Sequence, residues 1–240
     1  MSLLSVAGLS KRFGGVAANR DVSFDVAPGE LVGIIGPNGA GKSTLFDLIT
    51  GFTPPDAGEV RFDDRLITGL RPDEISRLGV ARTFQKLRPF GEMTVLDNVM
   101  VGAFQKTADV DGARDTARRT LESVGLGDRT AAYARSLSTG QRKRLELARA
   151  LASGPRLLLL DEVTGGVDQA TIPGLVRLVR DLHAAGLALV VIEHNMRVIM
   201  ELSQRIVALQ LGEVIASGVP ADIVRDRRVI DAYLGETWRA

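Results

Sequence analysis

The sequence predicts an α/β fold: a core with a parallel sheet, an antiparallel β lobe and an inserted α-helical lobe. Three observations carry this. The segments Leu31–Ile35, Arg156–Leu160 and Ala188–Ile192 are apolar runs of strand length, as expected of strands buried on both faces. Helical stretches separate them, and strand–helix–strand order implies parallel pairing with right-handed crossovers. Val22, Phe24 and Val26 instead alternate with polar residues, the pattern of a half-exposed antiparallel strand.

Taken in order, residues 1–30 and 57–83 form the predicted β lobe, with a turn at Ala27-Pro28-Gly29-Glu30. A helix opens near Lys42 and stops at Gly51, a residue suited to a C-cap. The helical lobe falls at 86–152. Within it, 94–135 reads as wholly helical, with Thr94 as N-cap and Asp97 three residues on, and a further helix covers Gln141–Ala152. Another begins around Ile172–Pro173, where proline suits a first turn. Arg205–Gln210 is the last core strand, followed by a hairpin at Leu211-Gly212-Glu213. Residues 1–240 read as one domain with lobes, without repeats at solenoid or propeller periods.

Composition removes several classes of function. Thirty Lys+Arg against 29 Asp+Glu leave a net charge of +1, which argues against binding bulk nucleic acid by charge. The absence of cysteine excludes a disulfide framework and Cys-ligated metal sites, and two histidines, His183 and His194, are too few for a His-rich one. No apolar run is long enough to span a bilayer, and the N-terminus lacks the pattern of a signal peptide. The expectation is a protein without direct membrane insertion that reaches a membrane only through a partner.

Gly36-Pro37-Asn38-Gly39-Ala40-Gly41-Lys42-Ser43 fits G-x-x-x-x-G-K-[ST], directly after an apolar strand and at the start of a helix. The glycines let the backbone curl so that N–H groups point inward, and the helix N-terminus adds partial positive charge. Lys42 brings a full charge to the β- and γ-phosphates, Ser43 offers a hydroxyl to Mg²⁺, and Thr44 reaches the α-phosphate. Alone, this motif means only that a nucleoside triphosphate binds.

Leu157–Leu160 leads into Asp161-Glu162. Two carboxylates at the end of a buried strand are costly without a cation nearby. Asp161 is read as a holder of Mg²⁺ through water and Glu162 as the group that polarises the attacking water; strand alternation gives the two different directions. Before the preceding helix stands Ser136-Leu137-Ser138-Thr139-Gly140-Gln141-Arg142-Lys143-Arg144. Ser138, the Gly140 backbone and a helix N-terminus make a second anion site. The helix dipole disfavours the three cations by about 0.3–1 kcal/mol each. They are read as a solvated basic face, with Arg142 paired to Glu146 at i+4.

With this segment the sequence resembles the ATP-binding subunits of ABC transporters. Leu137-Ser138-Thr139-Gly140-Gln141 stands where that family has LSGGQ, and LLLLDEV where it has LLLLDEP. Gln85, in Arg82-Thr83-Phe84-Gln85, matches the single glutamine at the edge of the helical lobe. Asp168, in Gly165-Gly166-Val167-Asp168, matches the D-loop aspartate, and His194, after Val191-Ile192-Glu193, the switch histidine. Phe13 is the candidate aromatic ahead of the phosphate loop, or else a core residue of the β lobe. The resemblance covers essentially the whole chain.

The resemblance implies a P-loop NTPase core of the ABC ATPase type that binds ATP and Mg²⁺. ATP is held by Phe13, Gly36, Pro37, Asn38, Gly39, Ala40, Gly41, Lys42, Ser43 and Thr44, and the metal shell by Ser43, Gln85 and Asp161. Glu162, His194 and Gln85 handle the attacking water. Ser138, Thr139, Gly140 and Gln141 serve the ATP of an opposite subunit, so a second ATPase subunit, identical or different, is implied. Thr139 for glycine, Val163 for proline and Gly165-Gly166 in the D-loop depart from the family pattern, and none removes a phosphate-, metal- or water-handling group. Ala81–Gln85, residues 87–99, Ile192–Met196 and Val229–Glu236 are similar to the branched-chain amino acid importer ATPases, and the lipopolysaccharide-export ATPase shares much of the pattern. Integral membrane permease subunits are then expected to dock on residues 86–105, through apolar side chains including Leu87, Phe90 and Met93. The chain would lie in the cytoplasm against the inner face of the membrane. A soluble ABC ATPase of repair or translation, or a binding module without turnover, competes with this reading; a GTPase is disfavoured because no N-K-x-D motif is present.

Overall fold

A computed structural model describes residues 2–85 and 89–234. Along the chain come β1 (Leu4–Phe13), β2 (Val16–Val26), β3 (Leu31–Ile35), α1 (Lys42–Ile49), β4 (Ala57–Phe62), β5 (Arg65–Leu66), α2 (Pro72–Leu78) and β6 (Val80–Arg82). Next are α3 (Val95–Ala103), α4 (Val110–Ser123), α5 (Thr139–Leu151), β7 (Leu157–Asp161), α6 (Ile172–Ala184), β8 (Ala188–Ile192) and α7 (Met196–Leu202). The described chain ends with β9 (Arg205–Gln210), β10 (Glu213–Gly218), α8 (Pro220–Ile223) and α9 (Arg227–Leu234).

The strands form two sheets. One is antiparallel, in the order β2-β1-β4-β5; the other runs β10-β9-β3-β8-β7-β6, parallel except for the β10–β9 hairpin. The apolar runs are buried on both faces because each serves two cores. Leu31, Leu158, Leu160, Leu189 and Val191 pack toward α3–α7, while Val32, Ile34, Leu157, Leu159, Val190 and Ile192 pack toward α1 and the antiparallel sheet. Phe46 and Phe62 are among the largest side chains buried in the second core.

Three expectations need correction. Residues 80–82 belong not to the β lobe but to the parallel sheet, as β6 paired with β7. This strand is too short to show an apolar run, and the left-handed C-cap Gly79 turns the chain into it from α2. Residues 94–135 are not wholly helical: α3 and α4 are followed by single 3₁₀ turns at Gly127–Arg129 and Ala134–Ser136, and Thr94 bridges to Tyr133. Thr94 does cap α3, accepting from the Asp97 N–H at 3.1 Å. The acid strand is shifted by one residue, so that Asp161 lies inside β7 and Arg156 outside it.

Candidate nucleotide site

The phosphate loop links β3 to α1. Gly41 at its end has φ +95, and a Cβ there would lie 2.1 Å from the Ala18 carbonyl oxygen, so only glycine lets the loop pass this close to β2. Distant elements hold the loop. The Asn19 amide donates to the Gly41 carbonyl at 3.3 Å, Gly212 N–H donates to Ala40 O at 3.2 Å, and Gly36 N–H donates to the Tyr233 hydroxyl at 2.7 Å. Lys42 is 6% exposed and donates to the carbonyls of Gly36 (2.7 Å) and Pro37 (3.0 Å). Burial lowers its pKa, while the nearby Glu162 and Asp161 carboxylates act in the opposite direction. Ser43 is exposed in the first turn of α1, and Thr44 is half-buried beside it. Phe13 is exposed at the end of β1, with the Lys11 ammonium 5.7 Å from its ring centre, so it is not a core residue of the β lobe.

Asp161 is 1% exposed. Its Oδ1 is buried without a hydrogen-bond partner, and Arg82 reaches its Oδ2 at only 3.7 Å. Burial pushes its pKa up to about 6, against the pull of Arg82. A buried carboxylate oxygen left unpaired suits a hard cation. No group of three or more acidic, His or Cys side chains is placed to hold a metal among the described residues. Magnesium carried on nucleotide phosphates needs only one or two protein oxygens, so this donor set fits it.

Glu162 follows with φ +54, a conformation that costs a non-glycine residue roughly 1–2 kcal/mol. Four contacts hold it there. Its N–H donates to Ile192 O (2.9 Å), and its carbonyl accepts from Lys143 Nζ (2.6 Å). Its Oε1 meets both Gln85 Nε2 (2.9 Å) and His194 Nε2 (2.9 Å). The structure thus brings Gln85, Glu162 and His194 to one point. Asn195, not His194, caps α7, accepting from the N–H groups of Arg197 and Val198.

At the start of α5, Ser138 and Gln141 form a capping box: Ser138 Oγ accepts from Gln141 N–H (3.3 Å), and Gln141 Oε1 accepts from Ser138 N–H (3.0 Å). A Cβ on Gly140 would lie 2.6 Å from Thr171 Cγ2, so this position needs glycine. Thr139 is exposed in the first helical turn, outside the residues with positive φ, and α5 accommodates it without the missing glycine. Val163 packs into the core. Asp168 accepts from the N–H (2.9 Å) and hydroxyl (2.8 Å) of Thr171, which ties the D-loop to the start of α6.

The solvated basic face is not what the structure shows. Arg142 donates to Arg135 O, buried Lys143 to Glu162 O and Arg144 to Val124 O, so all three bind backbone carbonyls outside α5. Glu146 is buried and accepts from Phe84 N–H instead of pairing with Arg142, and burial raises its pKa. His183, which carried no assignment, contacts Gly29 O at 2.9 Å.

Two contributors escaped the motif reading. Arg82 binds Asp47 Oδ1 (2.5 Å) and Thr50 Oγ1 (3.2 Å) of the α1 segment and lies over the rings of Phe84 (4.7 Å) and Phe52 (5.6 Å). Arg82 and Tyr233 both lie in segments that carry the family resemblance, Ala81–Gln85 and Val229–Glu236, but nothing in the sequence shows what they touch: the partner of Tyr233 lies 197 residues away. Beside Arg82 a groove of about 510 Å³ separates the helical lobe from the core, lined by Phe52, Phe84, Phe90, Val101 and Arg149 among others. Phe90 is exposed, with the Arg149 guanidinium 4.5 Å from its ring centre, and Met93 is half-buried. Leu87 lies outside the described residues.

A glycine loop on a helix N-terminus, a buried acid with one unpartnered oxygen at the end of β7, two strands away in the sheet, and the cluster of Gln85, Glu162 and His194 define a P-loop nucleotide-binding protein. The comparisons narrow that class. A profile described as ABC transporter matches residues 19–165, and one described as branched-chain amino acid ATP-binding cassette transporter matches 213–238. The chain is 39% identical to the high-affinity branched-chain amino acid transport ATP-binding protein LivG of Escherichia coli strain K12, over 98% of each chain. It is 35% identical to the lipopolysaccharide export system ATP-binding protein LptB of the same strain, over 100% of each. A nucleotide-free ATP-binding cassette from an ABC transporter superposes with a TM-score of 0.89 at 32% identity, covering 98% of this chain and 100% of that one. A dimeric ATP-binding cassette in a post-hydrolysis state with ADP and Pi gives 0.82 at 28%, covering 90% and 98%. The chain belongs to the ABC transporter family, as an ATP-binding cassette.

Proposed function

We propose that this chain is the ATP-hydrolysing subunit of a transporter for branched-chain or related amino acids, working at the inner face of the membrane through separate permease subunits. The convergence of Gln85 and His194 on Glu162, beside a preformed phosphate loop, supports hydrolysis over simple binding. Lys42 and the N–H groups of the loop bind the phosphates, and Phe13 stacks on adenine. Ser43, Gln85 and Asp161 would hold Mg²⁺, which when bound neutralises phosphate charge. Glu162 accepts a proton from, or orients, the attacking water, and His194 fixes that geometry. Ser138, Thr139, Gly140 and Gln141 serve the nucleotide of a second subunit. The match of residues 213–238 favours amino-acid uptake over lipopolysaccharide export. Among the described residues no helix is long and apolar enough to cross a membrane. The groove carrying Phe90, within residues 86–105, is the docking surface proposed for the permease.

The test is the Glu162→Gln protein on a sizing column with light scattering. With Mg-ATP it is expected to keep its nucleotide, lose turnover by about 10²–10⁴-fold and pair with itself. Bound ATP without pairing means that the second subunit is a different chain. No ATP binding would overturn the assignment.

A further inference from the structure

Glu193 is 3% exposed and lies just past the end of β8, one residue before His194. His194 points to solvent and to Glu162, while Glu193 points inward. Both Glu193 carboxylate oxygens are taken by one residue: Thr164 N–H donates to Oε1 at 2.7 Å, and the Thr164 hydroxyl donates to Oε2 at 2.9 Å. A carboxylate this deep needs such partners to offset its lost hydration. Thr164 is two residues past Glu162, whose own N–H already donates to Ile192 O at 2.9 Å. The contacts close a ring: Glu162 to His194 through side chains, His194 to Glu193 along the backbone, Glu193 to Thr164 through the two-pronged bond, and Thr164 back to Glu162 along the chain. Gly165 leaves room for it, since a Cβ there would lie 3.1 Å from Glu162 Oε2.

We propose that Thr164 and Glu193 form a fork that sets His194 and Glu162 in register, making Thr164 a positioning residue for ATP hydrolysis. This rests on the hydrolytic reading above. The fork spans the only two loops that carry this pair, so a slip of either strand end would pull Nε2 away from Oε1. It touches neither the phosphate loop nor its anchors, so its loss affects turnover and not nucleotide affinity.

Thr164→Val removes the hydroxyl at nearly constant volume and keeps the backbone bond; Thr164→Ser restores the hydroxyl. With only two histidines in the chain, the ring NMR signals of the full-length protein separate readily, and His183, bound to Gly29, is the internal control. The Val variant is expected to move the His194 ring signals, leave those of His183 in place and lower kcat about tenfold, with KM for Mg-ATP within about twofold. The Ser variant returns both readouts toward wild type. Unmoved His194 signals in the Val protein, equal movement of His183, or failure of serine to rescue would overturn the fork. If Thr164→Val does not fold, Thr164→Ala, which also removes the hydroxyl and keeps the backbone bond, applies the same criteria with the same serine rescue. A wild-type chain that pairs with itself on Mg-ATP yet never hydrolyses it would sink the hydrolytic reading, while the His194 signals still decide the fork.

Discussion

The N-termini of α1 and α5 are both suited to anions, yet they are built in opposite ways. At α1 the N-cap is Gly41, which has no side chain to cap the first N–H groups, and the loop before it is held from outside by β2, the β9–β10 turn and α9. At α5 the cap is local: Ser138 and Gln141 satisfy each other within one turn, and Ser138 is exposed. A helix end with open N–H groups is incomplete until an anion caps it. The α5 end carries its own local cap and offers a face to something outside the chain. The first site therefore depends on the whole tertiary structure, and the second is a short-range module that needs a partner to matter.

Lys42→Ala strikes the first site hardest. It removes the one full positive charge in the loop, and ATP affinity of the isolated chain should fall about 10–100-fold by titration calorimetry, as for loss of a charge-assisted bond. An affinity within threefold of wild type would mean that the loop amides alone carry binding. Ser138→Ala should cost about 1 kcal/mol of stability in chemical denaturation, the usual price of a lost N-cap. It should leave ATP affinity of the isolated chain unchanged, and weakened binding there would break the contrast. Tyr233→Phe removes only the acceptor for Gly36 N–H. A net hydrogen bond of about 0.5–1.5 kcal/mol predicts a two- to tenfold weaker Kd for ATP, measured by the same calorimetry. No change would show that the C-terminal helix merely lies against the loop.

Much of this molecule is readable before folding. The phosphate loop and Asp161-Glu162 are located by residue type and spacing, Gln85, Asp168 and His194 only through the family resemblance, and strands such as Leu31–Ile35 and Ala188–Ile192 coincide with the structure to the residue. Misreadings cluster where a side chain's partner lies far along the chain. The cations at 142–144 read as a solvated face with Glu146 as a partner, whereas their acceptors are backbone carbonyls at Arg135, Glu162 and Val124. Residues 80–82 look like part of the β lobe until β7 offers them an edge to pair with.

The sequence by itself determined the fold class, the spacing of the phosphate loop and which groups are candidates for the chemistry. Apolar periodicity, turn residues and phosphate-binding spacing are local properties, and each acts within a few residues. Only the tertiary structure decided what holds those groups in place: the four contacts on Glu162, the unpaired Asp161 oxygen, the Tyr233 bond to Gly36 and the Thr164–Glu193 fork. These arise where strand ends and loops distant in sequence meet in a low-dielectric interior, where an unsatisfied polar group is costly enough to dictate its partner.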